Sequence, residues 1–437
     1  MNLLYANDRK GEYPPSLYAA TRTMQAPFAA VRGKNIAQVC VIGGGYTGLS
    51  AALHLARLGI STRLVEAHRV GFGASGRNGG QIGSGQRLDV DQLEDLAGKQ
   101  AAQRLWNMAE EAKALVAELA GLAAVPVHPG VAHACRTEAE VAHSHKLAEK
   151  LDRDYGYKKI RTLDRDAFRA LVPSDAYVGG DLDLGAGHLH PLNFAIGLAQ
   201  LATEAGAHIH ENSAVHHIRH ARRPGEKTIV QTDHGFIECD HVILGCNGYM
   251  GQHLSAEVAA RVMPINNYIV ATAPLGDRAD EVLRQNIAVH DTKFVVNYWR
   301  LSPDKRLIFG GGETVTYRFP ADIAAKVRKP MQEIYPGLRG VDIDYAWGGT
   351  LAITFNRMPL FARPAPDTIS ASGFSGHGVA LATLAGKLMA QAVAGNAAGF
   401  DAMAALAPRR FPGGGMLRWP YLVAGMSWYS LRDRLGF

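Results

Sequence analysis

The 437 residues, 47% hydrophobic and 20% charged, suit two joined domains or one large domain with an insertion, and exclude a disordered or fibrous chain. The formal charge of +6 is spread over interleaved Lys, Arg, Asp and Glu with no basic run; this argues against a nucleic-acid arm and reads as mild steering of anionic ligands. Cys40, Cys135, Cys239 and Cys246 have neither C-x-x-C nor metal spacing, so buried thiols in a reducing, cytoplasmic setting are expected.

In chain order, residues 1–34 read as an extension. Gln38 to Ile42 is a short apolar strand running directly into a glycine turn and then an amphipathic helix. The stretch from Ile36 to Ala56 holds no Asp, Glu, Lys or Arg, but the glycines at its centre argue against a membrane segment, and no integral membrane segment is expected elsewhere. Gly43, Gly45 and Gly48 have the G-x-G-x-x-G spacing: the first makes the turn, the second admits a pyrophosphate, and the third lets helix and strand approach. The helix amino terminus then faces the phosphates. Gly59 is placed as the helix C-cap, and the strand from Ser61 ends in Glu66, 18 residues beyond Gly48, where a carboxylate can accept from a ribose diol.

That acidic residue fits NAD or FAD equally. A second glycine-rich loop, from Gly71 to Gly85, decides for FAD, because a nicotinamide dehydrogenase continues here with a further strand and helix, whereas exposed loop amides can wrap a pyrophosphate and a flavin edge. From Gly187 to Ile218 the pattern is loop, helix, then a strand through Val215 that reaches the adenine. The strand from His241 returns to the same sheet. From Gly373 to Gly395 a glycine turn opens a second long helix, whose apolar spacing at Val379, Leu381, Leu384, Leu388 and Val393 supports it. Its positive end can sit under the flavin pyrimidine edge.

The chain resembles the D-amino-acid oxidase and glycine oxidase superfamily of FAD enzymes, most closely its γ-glutamylputrescine oxidase branch. The resemblance is nearly end to end. It is carried by SLYAAT near the amino terminus, GASGRNGGQ in the second glycine loop, YWRLSPDKRLIFGGG from Tyr298, AWGGTLAITFNRMPLF from Ala346, SGHG at the second helix start, and the closing FPGGGMLRWPYLVAGMSWYSLRDRL. It implies an α/β fold: a Rossmann-like FAD-binding domain from residues 35–88, 173–251 and 346–399, with an inserted α+β substrate domain of antiparallel sheet from residues 89–172 and 252–345. It also implies oxidation of an amine to an imine by hydride transfer to flavin N5, hydrolysis to an aldehyde, and reoxidation by oxygen to hydrogen peroxide. By carry-over, Gly43, Gly45, Gly48, Glu66, Arg77, Asn78, Gly79, Gly80, Gln81, Val215, Gly373, Gly376, His377 and Gly378 fall at FAD-contact positions. No residue matches a covalent flavin cysteine, so FAD is expected to be noncovalent.

His377 is the first candidate for tuning or proton movement, Trp347 for walling the pocket, and Arg300 and Arg357 for a substrate carboxylate. Each also has an ordinary packing or surface reading. The paired histidines His188 and His190, His208 and His210, and His216, His217 and His220 suggest ligands at first sight, but no carboxylate or cysteine pattern completes a metal set, so no metal is expected. The closing segment, with Trp419, Tyr421, Trp428, Tyr429, Arg432 and Arg434, is read as docking, within residues 400–437, on the body of the protein rather than on a membrane surface. The expected partners are a small amine and oxygen. Other amine substrates (a D-amino acid, an N-methyl amino acid or an opine) keep the same chemistry; a flavin-bearing nucleic-acid modifier is the distant alternative. The sequence says nothing of oligomeric state.

Overall fold

The computed structural model describes residues 2–314, 316–412 and 420. The closing aromatic segment expected to dock on the body therefore lies outside the described residues.

Five parallel strands lie side by side in the order Thr368–Ser372, His241–Leu244, Val39–Ile42, Thr62–Val65 and His208–His210, with Leu360–Ala365 antiparallel at one edge. Val39, Cys40, Val41 and Ile42 are all buried because both faces of this sheet are covered. On one face the helices Tyr46–Arg57, Pro191–Glu204 and Gly378–Val393 pack over Val39, Val41, Leu64 and Ile243. On the other, Cys40, Ile42, Val65 and Val242 pack against Val215, Ile218, Val230 and Ile237 of a four-stranded sheet.

A third sheet has nine strands. Its order is Ile343–Ile353, Met263–Thr272, Leu307–Thr314, Tyr298–Leu301, Ala288–Asp291, His128–Cys135, Gly179–His188 and Gln81–Ile82, with Ile160–Leu163 also paired to Gly179–His188. Trp299 and Phe309 are buried from this sheet beneath Val327 and Met331 of the helix Ile323–Ile334.

Four features differ from the sequence expectation. Gly179–His188, inside the expected cofactor piece 173–251, pairs with His128–Cys135 in the nine-stranded sheet, and Ile343–Ile353 straddles the expected boundary at 346 while pairing with Met263–Thr272. The sheet is also not wholly antiparallel, because Ala288–Asp291 runs parallel to His128–Cys135. Finally, Val215–Arg219 is not a continuation of the parallel sheet: His208–His210 takes that edge, and Val215 opens a strand of the four-stranded sheet. Periodicity marks a strand but not its neighbour; pairing partners are chosen by tertiary burial.

The extension before residue 35 is stitched into the body. Leu17 and Tyr18 are buried, and Gly33–Ile36 pairs in parallel with Gly235–Cys239.

Candidate active site

The strand Val39–Ile42 ends at Gly43, whose φ of 109° and a Cβ position 2.7 Å from the Gly245 carbonyl oxygen leave room for glycine alone. Gly45 is the N-cap of Tyr46–Arg57 and has no side chain to cap it; Ser75 Oγ accepts from the Tyr46 amide at 3.0 Å, and among the described residues no side chain caps the amides that follow, which can face a ligand. A Cβ on Gly48 would sit 1.9 Å from the Gly43 oxygen, so Gly48 closes the turn against the helix. At the end of the next strand, Glu66 accepts from the amides of Gly44 at 2.6 Å and His68 at 2.9 Å. Burial pushes its carboxyl up to about 6, against the pull of those amides.

The second helix, Gly378–Val393, has His377 as its N-cap, again without a side-chain cap bond. It crosses the first helix closely: a Cβ on Gly386 would lie 2.4 Å from the Thr47 oxygen and 2.6 Å from the Ala51 nitrogen. Gly43 and Gly45 from one helix start, and Gly376, His377 and Gly378 from the other, line one cavity of about 1460 Å³. That exceeds the roughly 300–1,000 Å³ of a site for one small ligand and suits a long dinucleotide with a substrate beyond it. Glu66, Asn78, Gly79, Gln81 and Val215 line the same cavity.

The remaining expected residues stand behind it. Arg77 is buried; it donates from Nε to the Phe72 carbonyl at 2.7 Å and from Nη1 to Asp8 and the Gly348 carbonyl, each at 3.0 Å. It braces the loop rather than facing the cavity. Gly80, at φ 79°, is pressed on the Leu189 carbonyl, and Gly373 on the Thr354 side chain. Trp347 is buried and donates its indole N–H to the Arg77 carbonyl at 3.0 Å, so it supports the loop instead of walling the pocket. Arg300 is also buried, with its guanidinium bonded to the Gly79 carbonyl at 2.9 Å and to Tyr18 and Leu189 at 3.3 Å, and it stands behind the cavity lining rather than in it. In each case a side chain read as reaching outward is drawn inward by unpaired carbonyls of neighbouring loops, which the sequence does not display.

Arg357 does line the cavity. So do charged or titratable residues that the sequence reading passed over, among them Arg87, Glu313 and His290 and, elsewhere along the lining, Asp181, Asp183, Asp291 and Lys293. Glu313 follows the glycine run 310–312, and a Cβ on Gly310 would lie 2.1 Å from the Tyr298 ring. That run therefore makes space for Tyr298, whose hydroxyl donates to Asn267 at 2.5 Å. The available signal was an acid directly after three glycines, and an arginine two residues past the second glycine loop. Both are ordinary at strand and loop ends.

Burial pushes the Glu313 carboxyl up to about 7, although Arg357 and Arg87 pull it down. Burial, with the nearby Arg87 charge, holds His377 down at about 4, and burial with His133 holds His290 at about 3. Both rings are neutral at ordinary pH. The His377 ring fills the space that a Cβ on Gly83 would need, 2.3 Å from its Cε1. Cys246 is the cysteine that lines the cavity, and burial, then the Glu66 charge, push its thiol up to about 12, which leaves it protonated and unreactive.

The histidine pairs are engaged separately, His190 as the N-cap of Pro191–Glu204 and His220 with Asp367 at 2.8 Å. Among the described residues no three His, Cys, Asp or Glu side chains are grouped to hold a metal, and no helix is long and apolar enough to cross a membrane.

Residues 38–392 match the DAO family, described as FAD dependent oxidoreductase. The chain belongs to this family of FAD-dependent oxidoreductases. FAD is accordingly the cofactor of this DAO-family chain, and the cradle fits it: two helix starts whose N-cap residues make no side-chain cap bond, glycines where a Cβ would intrude, and Glu66 at the strand end. The chain is 39% identical over 428 residues to the gamma-glutamylputrescine oxidoreductase of Escherichia coli K12, covering 97% of this chain and 99% of that one. It is 40% identical over 424 residues to a probable oxidoreductase, OrdL, of Rhizobium meliloti, covering 96% and 97%. The solved glycine oxidase of Geobacillus kaustophilus shares the fold, with a TM-score of 0.71 at 20% identity over 86% of this chain and 99% of that one.

Proposed function

We propose that this DAO-family enzyme oxidises the free amine of a γ-glutamylated diamine of the γ-glutamylputrescine type, giving an imine that water converts to an aldehyde, with oxygen as the final acceptor. The observation that carries the reading is the single cavity that begins at the two helix starts and continues to Arg87, Arg357 and Glu313. Full-length likeness to the Escherichia coli enzyme supports the substrate class. Noncovalent FAD binding, and a cofactor domain drawn from the expected pieces 35–88, 173–251 and 346–399 less the strands Gly179–His188 and Ile343–Ile353, belong to the same proposal.

When bound, FAD supplies the two-electron acceptor for the C–H bond beside the amine nitrogen. The chain's own part is positioning and charge. A free alkyl amine has a pKa of about 10, and only its neutral form has the lone pair that expels hydride, so a desolvated cavity favours the reactive form. The uncapped amides at Gly378 favour negative charge at their end of the cavity. His377, neutral at ordinary pH, acts there as a hydrogen-bonding and packing group rather than as a proton donor.

Adding γ-glutamylputrescine without air to the purified holoenzyme is expected to bleach the flavin absorbance and release one aldehyde per flavin. Bleaching by a D-amino acid, an N-methyl amino acid or an opine, with indifference to every γ-glutamyl amine, would overturn the substrate assignment.

A further inference from the structure

Arg87, Arg357 and Glu313 come from three separate parts of the chain: the end of the second glycine loop, the turn between Ile343–Ile353 and Leu360–Ala365, and the end of the strand Leu307–Thr314. All three line the cavity. Among the described residues neither arginine comes within 4.0 Å of a carboxylate, and Glu313 makes no side-chain hydrogen bond. Other charges line the same cavity, but Arg357 and Arg87 are the ones that act on Glu313, and charges withdrawn from bulk water are normally paired, so three that influence one another without an ion pair mark a place for complementary charge from a ligand.

The backbone around them is held for this purpose. Arg357 has φ 63° and Ser375 has φ 53°, both in the left-handed region that a side chain disfavours. The Ser375 carbonyl accepts from Arg87 Nε at 3.1 Å, and the Arg357 guanidinium lies over the Phe294 ring at 5.3 Å from its centre. One strained turn presents Arg357; the other fixes Arg87. The elements around Glu313 bring no second acid: Asn267 stands opposite it in register, Tyr298 lies on the neighbouring strand, and the Lys326 stem passes Gly312. His290 and His377 are neutral there.

We propose that these three side chains clamp an α-amino-acid zwitterion, its carboxylate between the two guanidiniums and its ammonium against Glu313. The clamp rests on the reading of the substrate as a γ-glutamyl amine, and assigns the glutamyl end to these residues while the opposite amine reacts. The charges decide against simpler ligands. A plain diamine would bring a second cation towards two arginines, and a plain carboxylate would leave Glu313 beside another anion; a zwitterion meets all three with opposite charge.

The test uses holoenzyme and two unreactive probes, N-butyl-L-glutamine, which keeps the zwitterion and lacks the reacting amine, and N-butylglutaramate, which also lacks the α-ammonium. Binding is read by calorimetry and by perturbation of the flavin spectrum. The zwitterionic probe is expected to bind the parent at least tenfold more tightly than its deaminated counterpart. Glu313→Gln abolishes that preference, and Arg357→Met weakens both probes at least tenfold. Arg87→Lys, which keeps the charge and loses the fork, weakens both by a smaller factor. Equal binding of the two probes to the parent overturns the clamp without any variant, as does unchanged binding of both to flavin-loaded Glu313→Gln and Arg357→Met. If the probes behave as expected but γ-glutamylputrescine is not oxidised, the clamp stands and the functional reading falls.

Discussion

Two glycines three residues apart are expected to fail in different ways when each becomes alanine. A Cβ at position 48 would lie 1.9 Å from the Gly43 oxygen, roughly 1.5 Å short of van der Waals contact, and the obstructing atom is backbone. Neither the turn nor the helix can yield without disturbing the strand pairs on both sides, so Gly48→Ala belongs at the upper end of overpacking, about 3 kcal/mol. For a chain of 437 residues that lowers the melting temperature of flavin-free protein by roughly 3 °C. At position 45 the nearest atom is Ser75 Oγ at 2.9 Å, the end of a movable side chain that accepts from the Tyr46 amide at 3.0 Å. Moving it forfeits about 1 kcal/mol of hydrogen bonding at most. The added methyl also faces the cavity, where it holds the phosphates off the helix amides. Gly45→Ala is therefore expected to leave the flavin-free melting temperature within about 2 °C and to weaken FAD at least tenfold, or about 1.4 kcal/mol. Thermal melts of apoprotein and FAD titration by fluorescence quenching separate the two effects. Unchanged FAD affinity in Gly45→Ala, or an unshifted apoprotein melt in Gly48→Ala, would refute the reasoning.

Arg77→Lys keeps the charge but not the fork that joins the Phe72 and Gly348 carbonyls to Asp8; a loss of about 3 kcal/mol is expected, with faster tryptic cleavage before residue 12. If FAD affinity falls while the melt is unmoved, Arg77 is a cofactor ligand after all. His188 is 1% exposed and held down at about 3 by burial first, then by Arg300 and His128. A depressed folded-state histidine stabilises above its unfolded pKa of about 6.5, and that contribution is lost as pH falls towards about 3, amounting to about 2 kcal/mol by pH 5. His190, His290 and His377 act in the same direction, so His188→Gln should reduce the acid slope of apoprotein stability by about one proton without removing it. An unaltered slope between pH 6.5 and 4 would show that His188 is not buried neutral.

What was legible in the sequence is what short-range geometry dictates. Gly43, Gly45 and Gly48 with Glu66 read directly as a strand, turn, helix and strand, because each glycine answers to a neighbour within a few residues or to the adjoining strand. The second helix opening at Gly376 to Gly378 was legible for the same reason. Behind the cavity the reading failed in a consistent direction. Arg77, Trp347 and Arg300 were taken as facing ligand, but they satisfy loop carbonyls brought close only by folding. Arg87 and Glu313 were passed over because a charge beside glycines is ordinarily a solvated loop end.

By itself, then, the sequence determined the two glycine-opened helix starts that line one cavity, since local backbone sterics and helix-end polarity are written in consecutive residues. Only the tertiary structure decided which strands share a sheet and which charges face the cavity. Gly179–His188 finds its partners in Gln81–Ile82, His128–Cys135 and Ile160–Leu163, up to about a hundred residues away, and Arg87, Glu313 and Arg357 meet across some 270 residues of chain. Such pairings follow from burial summed over the whole fold, a quantity that no local pattern carries.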